Sequence, residues 1–258
     1  MVTRAPAKLN LCLYIGPVRD DGLHELRSLF CPLVLSDRIE IVPADDDVDE
    51  VVCAGVEGPN LVGVALEAMR ARGWRHGPLR IVIDKRIPVA AGLGGGSADA
   101  AAVLRLAGEQ LAELPELAAG LGADVPSQLE PRFALVSGAG DTVEPLPAPG
   151  EFGVVLIPDD EGLDTGAVYA EADSLGLARE AGELDRLAER LRAATASGAS
   201  PLEYADLLEE VGATRALVTG SGPTAVGLFE DVVAADSAAA ALPPRYANAI
   251  VSTPQRLG

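Results

Sequence analysis

The sequence predicts a mixed protein of strands and helices arranged in two domains, and three observations carry that prediction. "KLNLCLYI", from Lys8 to Ile15, alternates with the period of a strand. "NLVGVALEAMRARG" carries apolar residues at helical spacing between a capping Asn60 and a terminating Gly73. "EPLPAPGE", from Glu144 to Glu151, places three prolines and a glycine in eight residues, so the boundary falls there and divides the chain into 1–149 and 150–248.

Each element follows in turn. In the first strand Leu9, Leu11, Leu13 and Ile15 share one face, while Lys8, Asn10, Cys12 and Tyr14 share the other, so Lys8 and Asn10 point the same way. "DRIEIV" and "LRIVID" (Leu79 to Asp84) repeat that period. In the helix after Asn60, the apolar Leu61, Val64, Ala65 and Ala68 fall on one face. A second helix starts near Ser97, and a third in "LPELAAGLG" stops at Gly122. Past the boundary come an apolar strand in "FGVVLIP", an acidic helix-rich stretch from Thr165 to Val211, and "RALVTGSGPTAVGLF", two apolar runs around a glycine-rich turn. "DSAAAALPP" reads as the end of a helix, and no repeat of solenoid type is present.

Composition narrows the function classes. A chain of 258 residues with 48% hydrophobic content can bury a real core, and no apolar run reaches the ~18 residues of a membrane span. The N-terminal "MVTRAPAKLN" lacks the apolar core of a signal peptide, so the expected location is cytoplasmic. Cys12, Cys31 and Cys53 are odd in number and without a CxxC, which argues against a disulfide framework or a zinc site. The formal charge of −19 repels phosphate backbones and anionic lipid, so neither nucleic acid nor a membrane is an expected partner. Residues 1–100 hold 11 Lys/Arg against 14 Asp/Glu and the remainder 9 against 25, so the first part tolerates an anionic ligand better. Lys8 and Lys85 are the only lysines in a chain that otherwise uses arginine, which makes both candidates for a role.

The chemistry-bearing stretch is "GLGGGSADAAAVLRLA", from Gly92 to Ala107. It is neither a Walker A loop nor GxGxxG. Glycines let backbone N–H groups crowd a ligand, and the helix that follows adds roughly half a positive charge at its N-terminus, so phosphate oxygens fit there. Ser97, at the helix start, is placed either to cap the helix or to reach a metal ion. In "LGADVPSQL", Asp124 is either an N-cap or a carboxylate that orients a substrate hydroxyl and takes its proton. Lys8 is either a solvated strand lysine or a cation that stabilises transferring phosphate. His24 follows a turn in "DDGLHEL", and "TGSGPT" is either a tight hairpin turn or a second backbone cradle.

Taken in order, "PAKLNL", "DGLHELRSLF", "KRIPVAAGLGGGSADAAAVL", "LGADVP" and "TGSGPTAVGLF" resemble the GHMP small-molecule kinases. The branch most similar phosphorylates, with ATP, the tertiary 2-hydroxyl of a cytidine-diphosphate-linked methylerythritol in the non-mevalonate route to isoprenoid precursors. The resemblance implies a two-domain α+β fold: an N-terminal domain like ribosomal protein S5 domain 2, a ferredoxin-like C-terminal domain, and a closing strand within 249–258 that returns to the first. It implies that Pro88, Val89, Ala90, Ala91, Gly92, Leu93, Gly94, Gly95, Gly96, Ser97 and Ala98 form the ATP loop, with Mg²⁺ neutralising phosphate charge at Ser97. Asp124 is the implied base, with Lys8 as its electrostatic partner. Asn10, His24, Tyr169, Gly220 and Ser221 are the implied substrate contacts, with His24 and Tyr169 at the cytosine. A monomer or homodimer is expected.

The chain departs from that pattern in four places. Leu23 stands where an aromatic would stack on the base, and Pro131-Arg132 replaces a glycine pair. The segment that should resemble Asn-Asp-Leu-Glu is at best "SPLE" (Ser200 to Glu203), ahead of a shortened helical region, and Ala98 replaces a second serine. Two alternatives stay open: a kinase of the same family acting on another alcohol, and a nucleotide-binding homologue without catalysis.

Overall fold

The computed structural model describes residues 1–56, 58–159, 163–196, 216–220 and 222–255. The chain forms two compact units whose segments interleave: Met1–Ala7, Leu35–Val89 and Gly94–Pro131 in one, and Lys8–Val34, Ala90–Leu93 and Arg132–Gly258 in the other. Strands β1 (Val2–Val18) and β2 (His24–Pro43) are long enough to contribute to both.

In the first unit the C-terminal part of β2 pairs antiparallel with β4 (Leu79–Asp84), and β3 (Glu50–Cys53) joins β4 in parallel. Ile39 lies opposite Ile83 and Ile41 opposite Ile81, so β-branched side chains line the face that the helices cover. Helix α1 (Leu61–Ala71) starts as its sequence predicts, with the Val62 N–H donating to Asn60 Oδ1 at 2.9 Å, and Gly73 follows its end at φ +88°. Its buried face is Val62, Ala65, Leu66 and Met69, while Val64 is 43% exposed. Apolar residues occupy most of this helix, so period alone does not choose a face, and the larger Leu66 and Met69 take the core.

Helix α2 (Gly95–Leu104) is buried from Ala98 through Leu104 on every side. Its run of alanines lets it lie close against α1 and against α4 (Val125–Leu129), where a larger residue would overpack. Helix α3 (Leu114–Leu121) ends at Gly122, whose N–H returns to the Ala118 carbonyl.

In the second unit the N-terminal part of β2 pairs with β5 (Ala134–Gly138), which pairs in turn with β6 (Thr142–Pro145). A separate four-stranded antiparallel sheet contains β7 (Gly153–Ile157), β8 (Ala216–Val218), β9 (Ala225–Phe229) and β10 (Ile250–Ser252), in the order β10-β7-β9-β8. Among the described residues, helices α5 (Thr165–Ser174), α6 (Ala181–Ala196) and α7 (Val232–Ala240) also belong to this unit. Beyond β10 the chain runs beside β2: Val34 N–H donates to the Thr253 carbonyl at 2.9 Å and Gln255 N–H to Pro32 at 2.8 Å. Sheets and helices thus combine in both units, as the expected α+β class requires.

Candidate active site

In the second unit Lys8 and Asn10 occupy one face of β1, and both are buried, at 5% and 3% exposure. The solvated strand lysine is therefore not what the fold makes. Lys8 donates to Asn10 Oδ1 and lies over the Phe30 ring at 4.7 Å. Asn10 Nδ2 donates to Ser28 Oγ at 2.7 Å, and that hydroxyl donates to the Cys12 carbonyl at 2.6 Å, so the amide is oriented by a chain of bonds. The neighbouring Cys12 thiol is pushed up to about 12 by burial, which removes it as a nucleophile.

The "TGSGPT" turn joins β8 to β9 as a hairpin and also packs on the first glycine segment. Asn10 N–H donates to Thr219 Oγ1 at 3.1 Å, and Thr224 Oγ1 donates to the Ala91 carbonyl at 2.7 Å. Gly92, at φ +75°, meets the turn backbone to backbone: a Cβ there would lie 2.6 Å from the Thr219 carbonyl oxygen and 2.7 Å from Gly222 Cα. Gly92 is a glycine for this contact. Gly220 lies beside Lys8 and Asn10, since a Cβ on it would sit 3.4 Å from Nζ and 3.0 Å from Oδ1. Lys8, Asn10, Gly92 and Gly220 are thus brought together; Ser221 and the Ser200–Glu203 segment lie outside the described residues.

His24 opens β2 with its side chain 8% exposed, so it is no surface histidine. A carbonyl can only accept, so Nδ1 donates to Gly16 at 3.0 Å, while Nε2 faces Asp173 Oδ2 at 3.3 Å. Its ring stacks on Tyr169 with centroids 5.5 Å apart and planes 20° from parallel. Leu23, by contrast, is 54% exposed on the turn. Tyr169 and Gly220 also line a cavity of about 510 Å³ with Leu13, Ile15, Leu175 and Leu177.

The first unit holds Pro88, Val89, Gly94 to Ala98, and Asp124; Ala90 to Leu93 belong to the second. Ala90 takes φ +55°, the one non-glycine left-handed residue among those described, and strain of this kind collects at ligand loops. Gly94, at φ +69°, is the N-cap of α2, so Ser97 is the third helical residue and not its cap. The first-turn amides of Gly95, Gly96 and Ser97 have no carbonyl one turn earlier to bond, and Gly96 has open space where a side chain would stand. That combination suits an anion. Asp124 precedes α4 in the N-cap position, but its side chain makes no capping bond there among the described residues, and the helix start is bonded through its carbonyl by Ser127 Oγ at 2.8 Å. The capping explanation for this carboxylate falls away.

Beneath α2 lies a cluster whose acidic members sequence reasoning missed. Lys85 donates to Asp37 Oδ2 and, at 2.9 Å, to Asp99 Oδ2, with both carboxylates buried. Burial pushes the Asp99 carboxyl up to about 7 against the pull of Lys85. Burial alone would lower Lys85, and the Asp99 and Asp37 charges turn its shift upward.

The profile described as GHMP kinases N terminal domain matches residues 60–131, and that described as GHMP kinases C terminal matches 169–248. The chain is 39% identical over 268 residues to 4-diphosphocytidyl-2-C-methyl-D-erythritol kinase of Anaeromyxobacter sp. (strain K), covering 95% of this chain and 86% of that one. It is 36% identical over 275 residues to the Streptomyces coelicolor protein of the same name, covering 94% and 92%. A crystal structure of 4-(cytidine 5'-diphospho)-2C-methyl-D-erythritol kinase superposes with a TM-score of 0.74 at 33% identity over 98% of both chains. Homoserine kinase from Cytophaga hutchinsonii shares the fold at 15% identity and a TM-score of 0.65, over 99% and 94%. Fold and site together define a class, the small-molecule phosphotransferases. Within it, this chain belongs to the GHMP kinases.

Proposed function

We propose that the protein transfers the γ-phosphoryl group of ATP to the 2-hydroxyl of 4-diphosphocytidyl-2-C-methyl-D-erythritol, in the non-mevalonate route to isoprenoid precursors. The observation that carries the reading is the first turn of α2: amides without an intrahelical acceptor, an open Gly96 and a left-handed cap together suit a triphosphate, in a chain whose relatives of that name match it nearly end to end.

In this reading Asp124 accepts the proton of the attacking hydroxyl, a bond forms from that oxygen to the γ-phosphorus, and the bond to the bridging oxygen breaks to release ADP. Lys8 faces the charge that develops on the transferring group, and the amides of α2 hold the phosphates it leaves behind. Mg²⁺ would supply neutralisation of charge on the triphosphate, with the Ser97 hydroxyl as its protein ligand. No cluster of three or more His, Cys, Asp or Glu suited to a metal occurs among the described residues. Tyr169 and His24 read the cytosine, and Asn10, Gly220 and Ser221 complete the substrate side. No helix among the described residues is long and apolar enough to cross a membrane. We place the enzyme in the cytoplasm, with small molecules as its partners.

A second reading, a GHMP kinase for another alcohol, draws on the exposed Leu23 and on the Tyr169 face already covered by His24. The test mixes protein, Mg²⁺ and ATP with the cytidyl substrate, mevalonate or homoserine and follows products by phosphorus NMR. A new phosphate on the 2-hydroxyl of the cytidyl substrate is expected. Phosphorylation of another alcohol alone would select the second reading, and no phosphorylated product with ATP binding intact would leave a nucleotide-binding homologue.

A further inference from the structure

We propose that Asp37, Lys85 and Asp99 are positioning residues that clamp the first turn of α2 in the place where it holds the ATP triphosphate. The proposal rests on the ATP-dependent reading above.

The clamp grips both ends of the glycine loop. Asp37 Oδ1 accepts the N–H of Arg86 at 2.6 Å and of Ile87 at 2.8 Å, the two peptides that lead into the loop at Pro88. Asp37 Oδ2 accepts from Lys85, and Lys85 reaches across to Asp99, in the second turn of the helix with which the loop ends. One cation therefore ties β2, the end of β4 and α2 together. Gly95, the first residue of α2, presses on the same point: a Cβ there would lie 3.1 Å from both Lys85 Nζ and Ile87 Cγ2. This glycine serves the clamp, and Gly96 beside it stays open for a ligand.

Stability does not account for the cluster. Two buried carboxylates and a half-buried ammonium cost desolvation that their mutual attraction barely returns, and apolar replacement of such a cluster as a whole is often neutral or stabilising. Asp99 Oδ1 is buried with no hydrogen-bond partner among the described residues, which adds to that cost. What the cluster supplies is register. Phosphate-binding amides are useful only if aimed, and a misplacement of about 1 Å costs on the order of 100-fold. The residue choice agrees: lysine appears here in a chain with one other lysine and 18 arginines, and a compact ammonium fits between two carboxylates where a planar guanidinium does not.

The test compares wild type with Asp99→Asn, Lys85→Met and the double variant, reading the ATP Kd by calorimetry, KM for ATP and for the alcohol, and Tm. Each single change should weaken ATP binding by ~10-fold, a fraction of the loss that full misplacement brings. The double variant should be no weaker than the worse single, because one tie is broken in all three. The alcohol KM should hold. Tm should hold in Asp99→Asn, which keeps the Lys85–Asp37 pair, and fall in Lys85→Met, which strands two buried carboxylates, so the ATP affinity of Asp99→Asn is the decisive readout. Lys85→Arg should fail to restore the affinity. Folded variants with wild-type ATP affinity, or an affinity that falls only in step with Tm, would overturn the clamp. A wild-type protein that binds no ATP would remove the ATP-dependent reading itself, an outcome separable from the first by the wild-type titration alone.

Discussion

Under the proposed function, the glycine loop and the His24–Tyr169 region solve recognition in opposite ways. At the loop, the proposed binding is by backbone, and the surrounding side chains aim it: Gly92 packs on the backbone of Thr219 and Gly222, Gly94 turns the chain into α2, and Lys85 bonds to Asp99 of that helix. At the proposed base site the side chains themselves are the instrument: the His24 ring stacks on Tyr169 while Leu23 is exposed. Backbone recognition tolerates no change in its glycines but asks little of its neighbours' identity. Side-chain recognition changes with one residue, and Leu23 is such a position. The contrast assigns turnover to the first region with Asp124, and choice of substrate to the second.

The largest effect that would break this contrast is Asp124→Asn. Turnover should fall by ~10²–10⁴ with ATP binding kept, measured by steady-state kinetics and calorimetry; a variant that turns over normally would strip Asp124 of its role. Next comes Gly92→Ala, where the new methyl meets the Thr219 carbonyl and the Gly222 backbone at a left-handed φ. A loss of about 3 kcal/mol is expected by denaturant titration, toward the upper end for point changes. Tyr169→Ala should raise KM for the cytidyl substrate ~10-fold and spare kcat, as loss of a stacking partner worth about 1–3 kcal/mol implies. Leu23→Tyr should lower that KM, and an unchanged value would mean that position 23 does not face the base.

The smallest effect lies away from both regions. Asp49 accepts from Arg70 at 2.8 and 3.0 Å and from the Leu79 N–H at 2.8 Å, and although burial opposes it, these bonds hold its carboxyl below the usual carboxylate range. A depressed folded pKa stabilises above the unfolded value, roughly pH 4, and that contribution is lost as pH falls through the folded value. Asp49→Asn should therefore lower Tm modestly at pH 7, and the gap to wild type should close on acidification below pH ~4. A gap that persists unchanged in acid would assign the effect to lost packing.

What the sequence made legible follows the same division. Glycine, proline and capping residues act locally, so the start of α1 at Asn60 and the stop of α3 at Gly122 could be read one window at a time. Helix α2, by contrast, opens at Gly95, two residues ahead of the expected Ser97, because a left-handed glycine leaves no side chain to mark the cap. The first part of β2 could not, because both of its faces are buried and Pro32 interrupts the run, which hides the alternation. β5 and β6 were missed for want of any period in a glycine-rich stretch. The clamp was illegible for a different reason. Asp37 and Asp99 look like ordinary surface acids, and the fold brings them to Lys85 from 48 and 14 residues away. Lysine scarcity marked Lys85 and could not name its partners.

The most direct test of the account is kcat/KM for the complete cytidyl substrate against 2-C-methylerythritol 4-phosphate, which keeps the reacting hydroxyl and lacks the base. The account predicts a preference for the complete substrate that collapses in Tyr169→Ala, with ADP release still dependent on Asp124. Equal kcat/KM for the two in the wild-type protein would contradict it, because the region around His24 and Tyr169 would then read nothing.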